Sequence, residues 1–337
     1  MHQMQPKIIS SPLSGQIQNL AGKELVFPRI KEADWVPQRK AIEKRVAALG
    51  SGQPLTVLDL GAGEGLNAPL FNNVAHACPV HIVAVEPFKE FHGSYKEAYQ
   101  QTPVKVCGIE DATLTSFNPE SVRDSFPGGT RLIFASHSLY YAMDDIFAAS
   151  KASKALKTNP SAVTTHPLYK YFQMLGSGDM FLITLSSAPG IRVTMNMVLG
   201  DTKSATLETK SDGAAAPAIL KNFKNADFFM RHFSVFQQAY QTITRRQLNV
   251  ETHLSVASVP MGNYEVAEDS ASGRLSLHNP DGSDTDPHWI TPRVFEFYAS
   301  WSKASRREQD TFLNLLNVFA VNGAMRHTNS TIAITVQ

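Results

Sequence analysis

The chain has 337 residues, 43% of them hydrophobic, and 31 Lys and Arg against 30 Asp and Glu leave a net charge of +1. That composition supplies a full apolar core, offers no basic field for nucleic acid, and includes no segment apolar enough to span a membrane. Two cysteines, Cys78 and Cys107, are too few for a disulfide framework or a four-ligand zinc site, and they point to a reducing cytosol.

Residues 1–30 are mixed and broken by Pro and Gly, and the first six lack the basic-then-apolar order of a secretory signal. From Glu32 to Leu49, the residues Ile42, Val46 and Leu49 recur at helical spacing among charges. Residues 1–50 therefore read as an N-terminal cap, with a helix covering one edge of a sheet. An α/β alternation follows: strand 55–60, helix 64–76, strand 81–86, helix 89–100, strand 103–107 and strand 131–136. A further strand, 180–185, comes after a Gly-Ser-Gly-Asp turn. The stretch 186–240 is irregular but carries Phe223, Phe228, Phe229, Phe233 and Phe236, which is core spacing for a helix. A strand over 250–259, a Gly-, Asn- and Asp-rich stretch over 261–292, helices near 292–303 and 305–322, and an alternating strand at 331–336 complete the chain. The expected fold is a Rossmann-like, seven-stranded, mostly parallel sheet with helices on both faces. Residues 51–337 form its domain, with 186–240 and 261–292 as lid segments.

The chemistry concentrates at Val57-Leu58-Asp59-Leu60-Gly61-Ala62-Gly63-Glu64-Gly65. A buried strand runs into an acid and then into glycines that let a ligand approach the backbone. The next helix aims its unpaired N–H groups at that turn. Twenty-one residues past Gly65 a second strand ends in Glu86, at the position that meets ribose hydroxyls in nucleotide-binding sheets. Dinucleotide enzymes favour G-x-G-x-x-G, because a pyrophosphate needs that room. Here the spacing is G-x-G-x-G, with Asp59 before it and Glu64 inside it. Two negative charges repel a pyrophosphate and tolerate a sulfonium. Asp111, after the third strand, is a candidate for the adenine edge or an ordinary turn acid.

The acid followed by G-x-G-x-G resembles motif I of class I S-adenosylmethionine-dependent methyltransferases. Val85-Glu86-Pro87, Leu139-Tyr140-Tyr141 with Asp144, the Phe181-to-Ser187 stretch and Asn329-Ser330-Thr331 are similar to the histamine N-methyltransferase group. The resemblance implies S-adenosyl-L-methionine as cofactor, held by Asp59, Gly61, Ala62, Gly63, Glu86, Pro87, Asp111 and Ser136. It implies a small-molecule methyl acceptor near His137, Tyr140, Tyr141 and Asn329 or Ser330, with no nucleic-acid or membrane partner and a monomer or weak homodimer. Where the group has an acceptor-binding glutamine this chain has His137, and where it has a cofactor-binding glutamine the chain has Phe91. The group's N-terminal acid has Glu32 and Glu43 as candidates.

Methyl transfer is in-line displacement, in which alignment does most of the work. A nitrogen acceptor, amine or imidazole, is the first expectation. An oxygen acceptor with His137 as general base is the second. A non-catalytic nucleotide-binding protein is the third. His76, His81, His92 and His166 show no ligand spacing, so no metal is expected. Ser136-His137-Ser138 lacks the G-x-S-x-G context of a hydrolase.

Overall fold

The computed structural model describes residues 27–50, 52–126, 128–143, 146, 155–187, 225–260, 265–278, 305–321 and 324–337. Their contacts divide the chain into two units. The larger holds the described residues of Asp34–Ser187, Lys224–Ser255 and Asn329–Gln337, and the smaller those of Met1–Ala33, Ala188–Phe223 and Val256–Thr328. The boundary expected at residue 50 is not where this division falls. Most of the first helix, α1 (Phe27–Val46), belongs with the sheet from Asp34 onward.

The larger unit holds β1 (Leu55–Leu60), β2 (Val80–Val85), β3 (Lys105–Glu110), β4 (Thr130–Ser136) and β5 (Leu175–Ser186), with β6 (Leu248–Pro260) as far as Ser255 and β10 (Ala324–Val336) from Asn329 onward. The order across the sheet is β3-β2-β1-β4-β5-β10-β6. The first five strands pair in parallel, and β10 runs antiparallel to β5 with Asn329 opposite Ser186. This is the expected Rossmann-like, mostly parallel sheet. All six residues of β1 are buried, as a parallel strand covered on both faces requires. The order reverses between β1 and β4, so the crevice for a ligand lies at the carboxyl ends of these two strands.

Strand alternation sends the two faces of the sheet to different cores. Leu55, Val57, Leu132, Phe134 and Leu182 pack with Ile42 of α1, with Leu70 and Phe71 of α2 (Ala68–Ala75) and with Tyr95 and Tyr99 of α3 (Lys89–Tyr99). Leu58, Leu60, Ile133, Phe181 and Ile183 pack with Phe172 of the short α4 (Tyr169–Met174) and with Phe229, Phe233, Phe236 and Tyr240 of α5 (Ala226–Thr244). Asn225 caps α5 by accepting the Phe228 N–H at 2.8 Å, and Arg245 closes it in a left-handed conformation, φ 62°.

Several expectations are corrected. The 186–240 stretch is not a lid over its described part, because α5 is a core helix with Phe229, Phe233, Phe236 and Tyr240 fully buried and Phe228 half-buried. Residues 188–224, with Phe223, lie outside the described residues, as do 279–304. The third strand runs on to Glu110 instead of ending at Cys107. Val106 pairs with Ile82 and Gly108 with Val83, so Cys107 is the extra residue of a bulge. The second helix begins at Ala68 rather than 64, because Gly65 at φ 81° keeps the chain turning. In the smaller unit, 261–292 is not all loop: β7 (Glu265–Glu268) and β8 (Leu275–His278) form an antiparallel hairpin. The Gln309 amide of α6 (Arg306–Phe319) bonds both backbone groups of Leu275. A two-residue strand, β9 (Ala320–Val321), pairs with β10.

Candidate active site

The glycine turn continues the sheet past β1. Gly61 donates its N–H to the Val85 carbonyl at 2.8 Å, and Gly61, Gly63 and Gly65 all take positive φ, at 64°, 56° and 81°. A Cβ on Gly61 would lie 2.3 Å from the Ser138 Cβ, so the loop after β4 rests directly on the turn. Ser138 fixes this approach by donating its hydroxyl to the Leu60 carbonyl at 2.6 Å. A Cβ on Gly63 would meet nothing within 4 Å. That space is open where a ligand in the crevice needs it.

Glu86 follows β2 and is 4% exposed. Its carboxylate accepts the Gly63 N–H at 2.8 Å and the Phe88 N–H at 3.0 Å. Burial pushes its pKa up, against those two bonds and the neighbouring His92. Two accepted bonds leave lone pairs on this carboxylate for hydroxyl donors. Asp59, 1% exposed, points into the layer beneath, where the Tyr95 hydroxyl donates to it at 3.1 Å. Burial, and then the Asp59 charge, drive the pKa of Tyr95 and Tyr99 well up, so both phenols stay protonated. Ala62 is buried and Pro87 half-buried in the same turns. Asp111 is exposed beyond β3 and forms a surface ion pair with Lys89 at 3.0 Å.

A second cluster gathers His137, Tyr140 and Asn329 around a residue not singled out in the sequence, Asp34. Asp34 is fully buried. His137 Nε2 lies 2.8 Å from Asp34 Oδ2, the Ser255 hydroxyl donates to Oδ1 at 2.5 Å, and the Asn329 amide donates to both oxygens at 3.0 and 3.1 Å. Burial acts to raise the Asp34 pKa. The His137 bond and charge, with the Ser255 and Asn329 bonds, outweigh it and hold the carboxyl below its usual range. A carboxylate held this way stays ionised. His137 sits at φ 59°, a strained region that few residues other than glycine adopt. Its ring Nδ1 is 3.3 Å from the Tyr140 hydroxyl, which donates to Ser186 Oγ at 3.0 Å. The Ser186 N–H donates to the same phenol oxygen.

The inner face of α1 supplies the rest. Asp34, Gln38, Ile42 and Arg45 are all buried along one stripe. Gln38 donates to Thr184 Oγ1 at 2.8 Å and to Ser136 Oγ at 3.3 Å, and Thr184 lies 3.2 Å from the Thr331 hydroxyl. The Gln38 Oε1 is buried with no hydrogen-bond partner. Arg45 grips Asp179 through Nε at 3.0 Å and through Nη2, anchoring the helix to β5.

Glu32 and Glu43, the expected N-terminal acids, are both exposed, and Glu43 faces Arg39 at 3.7 Å. Asp34 takes the inward position instead. Stepping back from Ile42 by four residues, and four again, gives Gln38 and Asp34, a helical spacing with no further apolar member to draw it out. Tyr141 shares the 3-10 turn Leu139–Tyr141 with Tyr140, and its side chain is outside the described residues. Asp144 also lies outside them. Phe91 packs edge-on to Phe88, with ring centroids 5.9 Å apart.

No family model matches the chain, and no curated protein matches it. Among solved structures it is similar to the YcgJ protein from Bacillus subtilis, at 14% identity and TM-score 0.37, covering 88% of this chain and 97% of that one. It is also similar to the plantazolicin methyltransferase BpumL in complex with SAH, at 11% identity and TM-score 0.39, covering 96% and 89%. A third likeness is to Precorrin-6y C5,15-methyltransferase from Geobacter metallireducens, at 13% identity and TM-score 0.30, covering 72% and 82%. At TM-scores under 0.5 these likenesses do not extend to ligand or activity, and the fold stands on the strand order itself.

Proposed function

We propose that the protein is an S-adenosylmethionine-dependent methyltransferase acting on a small molecule. The observation that carries this reading is the pairing of two features at the carboxyl ends of β1, β2 and β4. One is a glycine turn with open space at Gly63 and a buried carboxylate at Glu86. The other is the His137 loop, seated on that turn through Ser138 and Gly61.

When bound, S-adenosylmethionine supplies an electrophilic methyl group, whose bond to sulfur breaks with its electron pair going to sulfur. Gly61, Ala62 and Gly63 would hold its amino-acid end and Glu86 its ribose hydroxyls. Acidic residues around the turn suit a cation and disfavour a pyrophosphate. The chain's own contribution to rate is alignment, which brings acceptor and methyl into line and is worth about 7–11 kcal/mol of barrier when complete. His137, Tyr140 and Asn329 would line the acceptor side.

The acceptor in this reading is an amine or imidazole nitrogen. A hydroxyl acceptor is the second reading, and the Asp34–His137 pair is the observation that favours it, because a hydroxyl must lose its proton as it attacks. Titration calorimetry with S-adenosylhomocysteine tests the cofactor. Saturable binding, abolished in Gly63→Val, is expected, and NADH binding without an S-adenosyl response would overturn it. A screen of amines, imidazoles, phenols and carboxylic acids with labelled cofactor then separates the two acceptor readings.

A further inference from the structure

We infer that Ser186, Tyr140 and His137 form a proton relay that carries the acceptor's proton inward to a site opposite the Asp34 carboxylate. The inference rests on the methyl-transfer reading and assigns it a class of acceptor, small molecules whose attacking nitrogen or oxygen carries a proton. The chain of contacts is continuous: Ser186 Oγ to Tyr140 OH at 3.0 Å, Tyr140 OH to His137 Nδ1 at 3.3 Å, and His137 Nε2 to Asp34 Oδ2 at 2.8 Å.

Hydrogen counting gives this chain two states. The Ser186 N–H already donates to the phenol oxygen, so among the described residues Ser186 Oγ and His137 Nδ1 compete for the single phenol hydrogen. With a neutral imidazole, Nε2–H donates to Asp34 and the phenol hydrogen turns to Nδ1. With an imidazolium, Nδ1–H donates to the phenol oxygen and the phenol hydrogen turns to Ser186 Oγ. Moving between these states takes one proton from the half-buried end at Ser186 and stores it at His137.

The step balances. As the acceptor–carbon bond forms, the acceptor's proton passes to Ser186 Oγ, the serine's own proton to Tyr140, and the phenol proton to Nδ1. The imidazolium so formed faces an ionised carboxylate, and the proton later returns outward by the same path. Among the described residues, the groups facing His137 include Asp34 from α1, Asn329 from β10 at 3.5 Å and Tyr140 from its own loop; Ser255 from β6 meets it through Asp34. Asp34 is the charged one among them. Because the acid is saturated by protein donors, it serves the imidazole and does not contact the acceptor. Asp34 acts through His137 and is a positioning residue, while Tyr140 passes the proton between Ser186 and His137.

The first test needs no turnover. With histidine labelled at both ring nitrogens, NMR of the free protein should show His137 with Nε2 protonated and Nδ1 unprotonated at pH 8, and Tyr140→Phe should shift the Nδ1 signal. A doubly protonated His137 from pH 6 to 9.5 would overturn the relay. In turnover, Tyr140→Phe and Ser186→Ala should each lower kcat about 100-fold for phenol or azole acceptors, displace the acid limb of the pH profile, and leave cofactor KM unchanged. Acceptors with no proton to lose, such as a pyridine, should lose clearly less in the variants than phenols and azoles do, so the ratio of the two losses reads the relay apart from any change in acceptor binding. Profiles of both variants superimposable on wild type, in a protein that binds S-adenosylhomocysteine, would overturn the relay alone. Failure of wild type to bind S-adenosylhomocysteine would overturn the methyl-transfer reading and the relay with it.

Discussion

Helices α1 and α5 cover opposite faces of one sheet and bury very different surfaces. From α5 come Phe229, Phe233, Phe236 and Tyr240, all at 0% exposure and in ring contact along the helix. From α1 come Lys31, Asp34, Gln38 and Arg45 beside two aliphatics, Ile30 and Ile42. Aromatic burial is the cheapest way to hold a helix on a sheet. Burying an acid, an amide and a guanidinium costs free energy unless each is bonded, and the Gln38 oxygen is not. The aromatic face holds its helix by apolar burial, and the polar face holds the buried groups that the proposed function uses.

The largest effect that sharpens this comparison is expected at Asp34. Asp34→Asn removes the charge opposite His137 and turns one acceptor into a donor facing the Asn329 amide, so methyl transfer should fall about 10³-fold and stability by about 1–3 kcal/mol. Assays alongside thermal melts check it. Loss of fold in proportion to activity would erase the distinction between the faces.

Next in size is Phe233→Ala on the other helix, expected to cost about 3–5 kcal/mol by opening a cavity. Urea melts should show it, with S-adenosylhomocysteine affinity of the folded fraction unchanged.

Acid separates the two faces in a third way. His166, packed 4.8 Å from Phe236, is buried, and that burial lowers its pKa from 6.5 to about 4. Between those values the unfolded chain takes a proton that the native one declines. Stability is therefore full above about pH 6.5 and falls as pH drops toward 4, by about 3 kcal/mol in all. Asp34 works in a lower window, since its folded pKa lies below the unfolded value. Its contribution is present above about pH 4 and lost only as pH falls through the folded value. Denaturant melts at pH 7.5 and 4.5 should differ for wild type and much less for His166→Gln.

The smallest effect is expected at Gln38. Gln38→Leu removes two bonds and also an unpaired buried oxygen, so stability should change by no more than about 1 kcal/mol. Cofactor or acceptor affinity should drop instead, read by calorimetry.

The comparison also explains what could be read from the sequence. Strand and helix order follows from apolar runs such as Leu55–Leu60 and from glycine turns, both of which are local signals. The turn residues Gly61, Gly63 and Glu86 were legible for the same reason. Asp34 was not, because a stripe is read by its apolar members and this one is mostly polar. The partners of Asp34 stand 103, 221 and 295 residues away in the chain. Only folding brings them together. The aromatic stripe of α5 was legible as core spacing, yet its length was hidden inside a stretch otherwise poor in periodicity. Cys107 shows a third kind of miss: a bulge lengthens a strand through pairing that composition does not reveal.

The contact between Gly61 and Ser138 has a thermodynamic consequence. With no room for a Cβ between them, the glycine turn and the loop bearing His137 pack directly on each other. Under the proposed function, a cofactor on the turn and an acceptor beside the loop would share a coupling free energy through this contact. Reciprocity would then hold: whatever factor the cofactor applied to acceptor affinity, the acceptor would apply to cofactor affinity, whichever bound first.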